Sequence, residues 1–168
     1  MRLPIPTTPT KFPAAEYPFI VAIDTREQTP FTFEGFRAFS DDDARIITKR
    51  TTLKTGDYSI VGFEKKICVE RKSKADLFGS VTTGRERFER EFQRMAEMER
   101  AALVCEASNA SILAGIENSQ MDGANVLRTF ISWAGRYRVP CFFCTSRAEA
   151  EWVTLEILRF FWKELTQK

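Results

Sequence analysis

Histidine is missing altogether from the 168 residues, which excludes histidine triads, histidine metal sites and histidine general bases. Any chemistry must rest on carboxylates, lysine and arginine. A large excess of one charge is also lacking: 25 Lys and Arg stand against 23 Asp and Glu, a formal net of +2, so no histone-like composition announces a polyanion binder. The case for a nucleic-acid partner must therefore be local. No apolar run approaches the roughly 18 residues of a membrane span, and prolines stand where an export signal would carry apolar residues. The expectation is an intracellular, cytoplasmic protein with reduced cysteines. Cys68, Cys105, Cys141 and Cys144 all fall in apolar, strand-like stretches and read as buried thiols. Cys141-Phe-Phe-Cys144 has the spacing of a redox pair, but no Pro or Gly separates the cysteines and no helix start follows at the right place. Core packing is the better reading than a thiol oxidoreductase, which would need a low-pKa thiol.

What is present fits one compact domain, with 43% hydrophobic and 29% charged residues. Residues 1–18 hold Pro4, Pro6, Pro9, Pro13 and Pro18 and read as an extended or disordered arm, leaving 19–168 as the domain. Phe19 to Ile23 is a short apolar run ending at Asp24, as in a strand buried on both faces. The alternating Phe31, Phe33, Phe36 and Phe39 suit a core-facing strand better than stacking on unpaired bases. Ser40 and Asp43 make a capping box for a short helix through Ile47, a better account of Asp41, Asp42 and Asp43 than metal binding. Tyr58 to Val61 and Lys66 to Lys72 flank a turn and read as a hairpin. Thr83 and Glu86 cap a helix with Phe88, Phe92 and Met95 on its apolar stripe. Ala101 to Cys105 reads as a strand, Asp122 caps a further helix, Val139 to Cys144 reads as a strand, and Ser146 with Glu149 caps the last helix. That helix carries too many apolar groups for one stripe, and a homodimer interface is one use for the surplus. The βα alternation in the second half implies parallel pairing in a sheet covered on both faces, an α/β fold.

The hairpin carries the chemistry. For a symmetric turn over Gly62 to Lys65, paired positions sum to 127, and Asp57 faces Glu70 across the strands. Directly opposed residues stand about 4.5–5.5 Å apart at Cβ, where like charges are destabilising; a divalent cation between them would offset the repulsion. Lys72 shares the face of Glu70, with Cα atoms about 6.6 Å apart, and Arg71 points to the other face. Oxygen ligands of this kind suit magnesium, and an ammonium beside the metal suits phosphodiester hydrolysis. Asp24, at the end of the neighbouring apolar strand, can complete the shell. Arg26, Lys54, Arg71, Lys74 and Arg85 gather around the acids and would offset their repulsion of DNA.

These strings also carry a resemblance. GDYSI (Gly56 to Ile60) followed by ERKSKAD (Glu70 to Asp76) is similar to the GD…ERKxxxD signature of the XPF family of structure-specific endonucleases, a branch of the PD-(D/E)XK nucleases. IDTRE (Ile23 to Glu27) resembles that family's opening motif, and the likeness runs over residues 19–165, through TTGRERF and LVCEA. It implies a restriction-endonuclease-like central mixed sheet with helices on both faces. It further implies Mg2+, with Mn2+ as substitute, held by Asp57 and Glu70 and supported by Asp24. Lys72 would be the catalytic lysine, Arg71, Asp76, Asp24 and Glu27 further catalytic-motif residues, and Arg26, Lys54, Lys74 and Arg85 DNA contacts. Asp76 is equally suited to capping the helix that follows Ser73, and Arg85 to a helix start. The implied reaction is cleavage of branched, flap or junction DNA to 5′-phosphate and 3′-hydroxyl ends.

Two departures from the family pattern stand out. Glu89 occupies a position where many members carry glutamine, and nothing after Leu165 reads as the tandem helix-hairpin-helix domain of eukaryotic members. The expectation is a stand-alone form of prokaryotic or viral kind. The rival readings are a catalytically inactive subunit that binds DNA or scaffolds a partner, whose hallmark would be lost acidic ligands, and the thiol oxidoreductase above.

Overall fold

The computed structural model describes residues 11–12, 17–38, 45–117 and 119–166. Six strands form one mixed sheet in the order β4-β2-β5-β6-β7-β8. In chain order, β2 (Val21–Asp24) and β4 (Thr48–Thr51) pair in parallel, and β5 (Tyr58–Ile60) runs antiparallel to both β2 and β6 (Ile67–Lys72). Beyond them β7 (Arg100–Cys105) and β8 (Cys141–Phe143) continue in parallel from β6. A separate two-stranded ribbon pairs β1 (Lys11–Phe12) with β3 (Arg37–Ala38), so part of the proline-rich arm is extended and paired.

Helices cover both faces. Against one lie α1 (Lys74–Val81), α2 (Arg85–Ala96) and α4 (Gly123–Tyr137), with the short α3 (Asn109–Leu113) beside α4; their apolar stripes meet Cys68, Leu103 and Cys105. Against the other lies α5 (Arg147–Thr166), with Phe31, Phe33 and Phe36, over Val21, Ile23, Ile67, Val69, Ala102 and Val104. The alternation is the two-residue period of extended chain, and continued along β6 it places Glu70 and Lys72 on the α2 face and Arg71 on the α5 face. No helix among the described residues is long and apolar enough to cross a membrane.

Three expectations change, and one helix is added. Arg45 to Ile47 are not helical and lead into β4, while the rest of the Ser40–Asp43 capping box lies outside the described residues. The β-branched run Ile46, Ile47, Thr48 suits extended chain, and the Val21 amide donates to the Ile47 carbonyl at 2.9 Å to begin the pairing. The Thr83–Glu86 capping box does not form. Gly84 is the N-cap of α2 without a side-chain bond, because its amide is turned back to the Gly79 carbonyl at 3.0 Å to close α1. Phe31, Phe33 and Phe36 are core, as expected, but sit on an irregular loop in which Phe33 has a left-handed φ of 56°; Phe39 lies outside the described residues. Finally, α3, capped by the Ser108 hydroxyl, was not foreseen. The Asp122 and Ser146 caps are present, accepting from the amides of Ala124 at 3.0 Å and Glu149 at 3.1 Å.

Candidate active site

The hairpin register is the one the symmetric turn requires. Tyr58 pairs with Val69, which sets Asp57, immediately before β5, against Glu70. Gly56 makes the approach possible: its φ is +75°, and an added Cβ would stand 2.8 Å from the Cys68 Cβ and 3.1 Å from the Val69 carbonyl oxygen. The Asp57 amide donates to the Val69 carbonyl at 2.9 Å, and Asp57 Oδ2 accepts from the Arg71 amide at 2.8 Å. Glu70 is 7% exposed, and its Oε1 accepts from Lys72 Nζ at 2.6 Å.

A cleft of about 430 Å³ opens at this end of the sheet. It gathers Asp24, Arg26, Glu27, Lys54, Asp57, Glu70, Arg71, Lys72 and Asp76, all singled out in the sequence. Lys74 and Arg85 do not line it: Lys74 begins α1, and the exposed Arg85 lies 5.3 Å from the Trp133 ring centroid with Nη1 3.5 Å from the Thr129 hydroxyl.

Electrostatics in the cleft are unbalanced. Burial, and next the charge of Glu70, push the Asp57 carboxyl up to about 8. Burial likewise raises Glu70 despite the adjoining Lys72. Burial works against the Lys72 ammonium, but Glu70 and Asp57 outweigh it and keep the lysine charged. Lys72 therefore does not keep both carboxyls ionised, and Asp57 holds a proton near neutral pH. A hard divalent cation would displace that proton, and the donor chemistry of Asp57 and Glu70 fits magnesium, which binds few protein carboxylates and keeps several waters. No three His, Cys, Asp or Glu side chains among the described residues converge closely enough to enclose a metal, so such an ion would draw on Asp57 and Glu70 together with water.

Asp24 is differently employed. Its Oδ1 accepts from the Arg26 amide (2.7 Å) and Nε (2.9 Å), and its Oδ2 from Arg26 Nη2 (2.8 Å) and the Leu53 amide (2.8 Å). Burial works against the charge, but these donors prevail and hold the carboxyl below its usual range. With both oxygens committed, Asp24 fixes Arg26 and the chain at Leu53 beside the cleft. Asp76 accepts from the Ser73 hydroxyl at 2.6 Å while its amide donates to Ser73 Oγ at 3.1 Å, the reciprocal bonding of a helix cap, and its side chain also borders the cleft.

Arg71, on the opposite face from Lys72, enters a chain of charges that runs from the largely buried Glu27, Arg71 and Glu106 out to the exposed Arg147. Its Nε donates to Glu106 Oε1 at 2.6 Å and its Nη1 to Glu27 Oε1 at 3.3 Å; Glu106 also accepts from Arg147 Nη1 at 2.6 Å. Arg147 Nη2 reaches the carbonyls of Thr29 (2.7 Å) and Pro30 (2.8 Å), fastening the loop that carries Glu27 to the start of α5. Sequence reasoning missed Glu106 and Arg147, which are far from the motif in sequence, and also Glu91 and Arg94, a neighbouring ion pair lining the cleft. Glu91 lies three residues beyond the core-facing Phe88, a spacing that brings it to the sheet side of α2.

The cysteines show nothing of a redox centre. All four are free, and burial pushes the Cys105, Cys141 and Cys144 thiols up to about 12 and Cys68 higher still.

A model of the ERCC4 domain matches residues 23–155. The chain belongs to the ERCC4 domain family. Its structure is similar to that of XPF from Aeropyrum pernix, at a TM-score of 0.63 and 18% identity, over 84% of this chain and 61% of that one. XPF from the same organism in complex with DNA gives the same TM-score of 0.63 and 18% identity, over 87% of this chain and 66% of that one. The chain thus spans about three fifths to two thirds of the XPF chains it matches, and it has their nuclease-domain fold. No curated protein sequence matches it.

Proposed function

We propose that this ERCC4 domain is a magnesium-dependent endodeoxyribonuclease, with manganese as substitute, which hydrolyses phosphodiester bonds at or near branched, flap or single-strand/double-strand junctions. The observation that carries the reading is the opposed pair Asp57 and Glu70 with Lys72 bonded on the same face. When bound, a divalent cation would supply Lewis-acid activation of water and counter-charge to the phosphate. Asp57 and Glu70 would hold that cation, and the Lys72 ammonium would orient the attacking water or neutralise charge developing on the phosphoryl oxygens. Arg26 and Lys54 at the cleft, with Lys74 and Arg85 outside it, meet the flanking phosphates. The products are a 5′-phosphate and a 3′-hydroxyl. A non-cutting scaffold is the weaker reading, because the acids whose loss would mark it are retained.

The same reading includes a homodimer. An apolar groove of about 450 Å³ runs between the sheet edge and α5, where Phe142 and Trp152 are each 40% exposed and Phe160 is 52% exposed. It adjoins β8, whose outer backbone edge has no further strand among the described residues. A second copy of the chain is the proposed occupant.

Labelled duplex, single-stranded, flap and forked DNAs incubated with magnesium test the assignment. The expected result is cleavage of flap or fork within a few nucleotides of the junction, leaving ends that a ligase accepts directly. Equal cutting of all four DNAs would remove the junction preference, and no cutting of any in magnesium or manganese would remove the nuclease.

A further inference from the structure

Glu70 is not the only group that holds Lys72. The lysine Nζ also lies 4.4 Å from the centroid of the Phe88 ring, so the ammonium is gripped between a carboxylate and an aromatic face. Phe88 is 6% exposed and stands on α2, one helical turn from its cap. Its ring belongs to an aromatic cluster, with centroids of Phe92, Phe130 and Trp133 at 5.5, 6.0 and 6.1 Å, so its place depends on no single neighbour. Core packing accounts for the burial of this ring, as it does for Phe92, which is 0% exposed in the same cluster. It does not account for a cation on the ring face.

Lysine has a long, rotamer-rich stem, and an ammonium tied only to Glu70 would lose its anchor whenever that carboxylate turned to another cation. A ring face attracts an ammonium through its quadrupole, accepts no proton and offers no metal-binding atom. It therefore keeps its hold while Glu70 is engaged elsewhere. We propose that Phe88 is a positioning residue, whose ring face fixes the Lys72 ammonium at the carboxylate pair. Its consequence for turnover rests on the nuclease reading; the contact does not.

Four full-length variants, Phe88→Leu, Phe88→Tyr, Phe92→Leu and Lys72→Arg, test it through two readouts. In chelator and without DNA, the Lys72 ε-methylene NMR signal, assigned by its disappearance in Lys72→Arg, should lie upfield of ordinary lysines because of the ring current. It should return to the ordinary position in Phe88→Leu and stay shifted in Phe88→Tyr and Phe92→Leu. In magnesium with a cleavable DNA, Phe88→Leu should lower kcat about tenfold at nearly constant KM, as befits loss of a desolvated cation–π contact. Phe88→Tyr should restore kcat, and Phe92→Leu, the same truncation in the same cluster, should keep it within about twofold. An ordinary Lys72 signal in the unaltered chain, or equal kcat losses in Phe88→Leu and Phe92→Leu, would overturn the proposal. A shifted Lys72 signal in a chain that cuts no DNA would instead refute the nuclease reading and leave the contact standing.

Discussion

Asp57 and Glu70 work against folding in the absence of a counter-ion, and the sign of that effect is measurable. The folded Asp57 carboxyl is raised from an ordinary 3.8 to about 8, so between these pH values the native state holds a proton that the unfolded state has released. In chelator, stability should therefore fall as pH rises from about 4 to 8 and level off beyond. Asp57→Asn lacks this component and should be more stable than the parent by ~1–2 kcal/mol at neutral pH in chelator, a stability–function trade-off. Magnesium should stabilise the parent and leave the variant nearly unmoved. Thermal melts across pH, with and without the ion, check both statements. Arg71 presents the opposite case: Glu106→Gln leaves its buried guanidinium underpaired and should cost ~2–4 kcal/mol, read by denaturant titration.

At the scale of elements, what could be read in the sequence was whatever short-range physics decides. The two-residue alternation of β6, the β5–β6 register and the caps at Asp122 and Ser146 all follow from neighbours within a few positions. The α2 stripe of Phe88, Phe92 and Met95 is equally local. The failures are tertiary. β4 is exposed along Thr48 to Arg50 and exists because the edge of β2 offers it hydrogen bonds, which no local pattern reveals. Thr83 has the spelling of a cap, but α1 ends so close by that Gly84 is drawn back to it. Within the site, Asp57, Glu70 and Lys72 were legible from the hairpin, whereas Glu91, Glu106 and Arg147 reach their positions only through packing of α2, β7 and α5. Gly56 belongs to this scale because it lets β5 meet β6: Gly56→Ala places a Cβ 2.8 Å from that of Cys68 at a positive φ, and should destabilise by at least ~2 kcal/mol in urea melts.

For the whole molecule, the sheet separates two tasks. The cleft opens at the end of the sheet between α2 and the Glu27 loop, while β8 and α5 expose the apolar groove. The start of α5 also anchors the Glu27 loop through Arg147, so one helix joins the proposed dimer surface to the motif. Trp152→Glu, on the exposed side of α5, should convert a dimer to a monomer in sedimentation without lowering the melting temperature by more than a few degrees. Whether Asp57 and Glu70 form a metal-dependent hydrolytic centre is decided by cleavage of a junction DNA by the parent, Asp57→Asn and Glu70→Gln in magnesium, with DNA binding measured in parallel. The expected result is cleavage by the parent alone, with all three binding DNA and melting as folded proteins. Undiminished cleavage by either folded variant would contradict it.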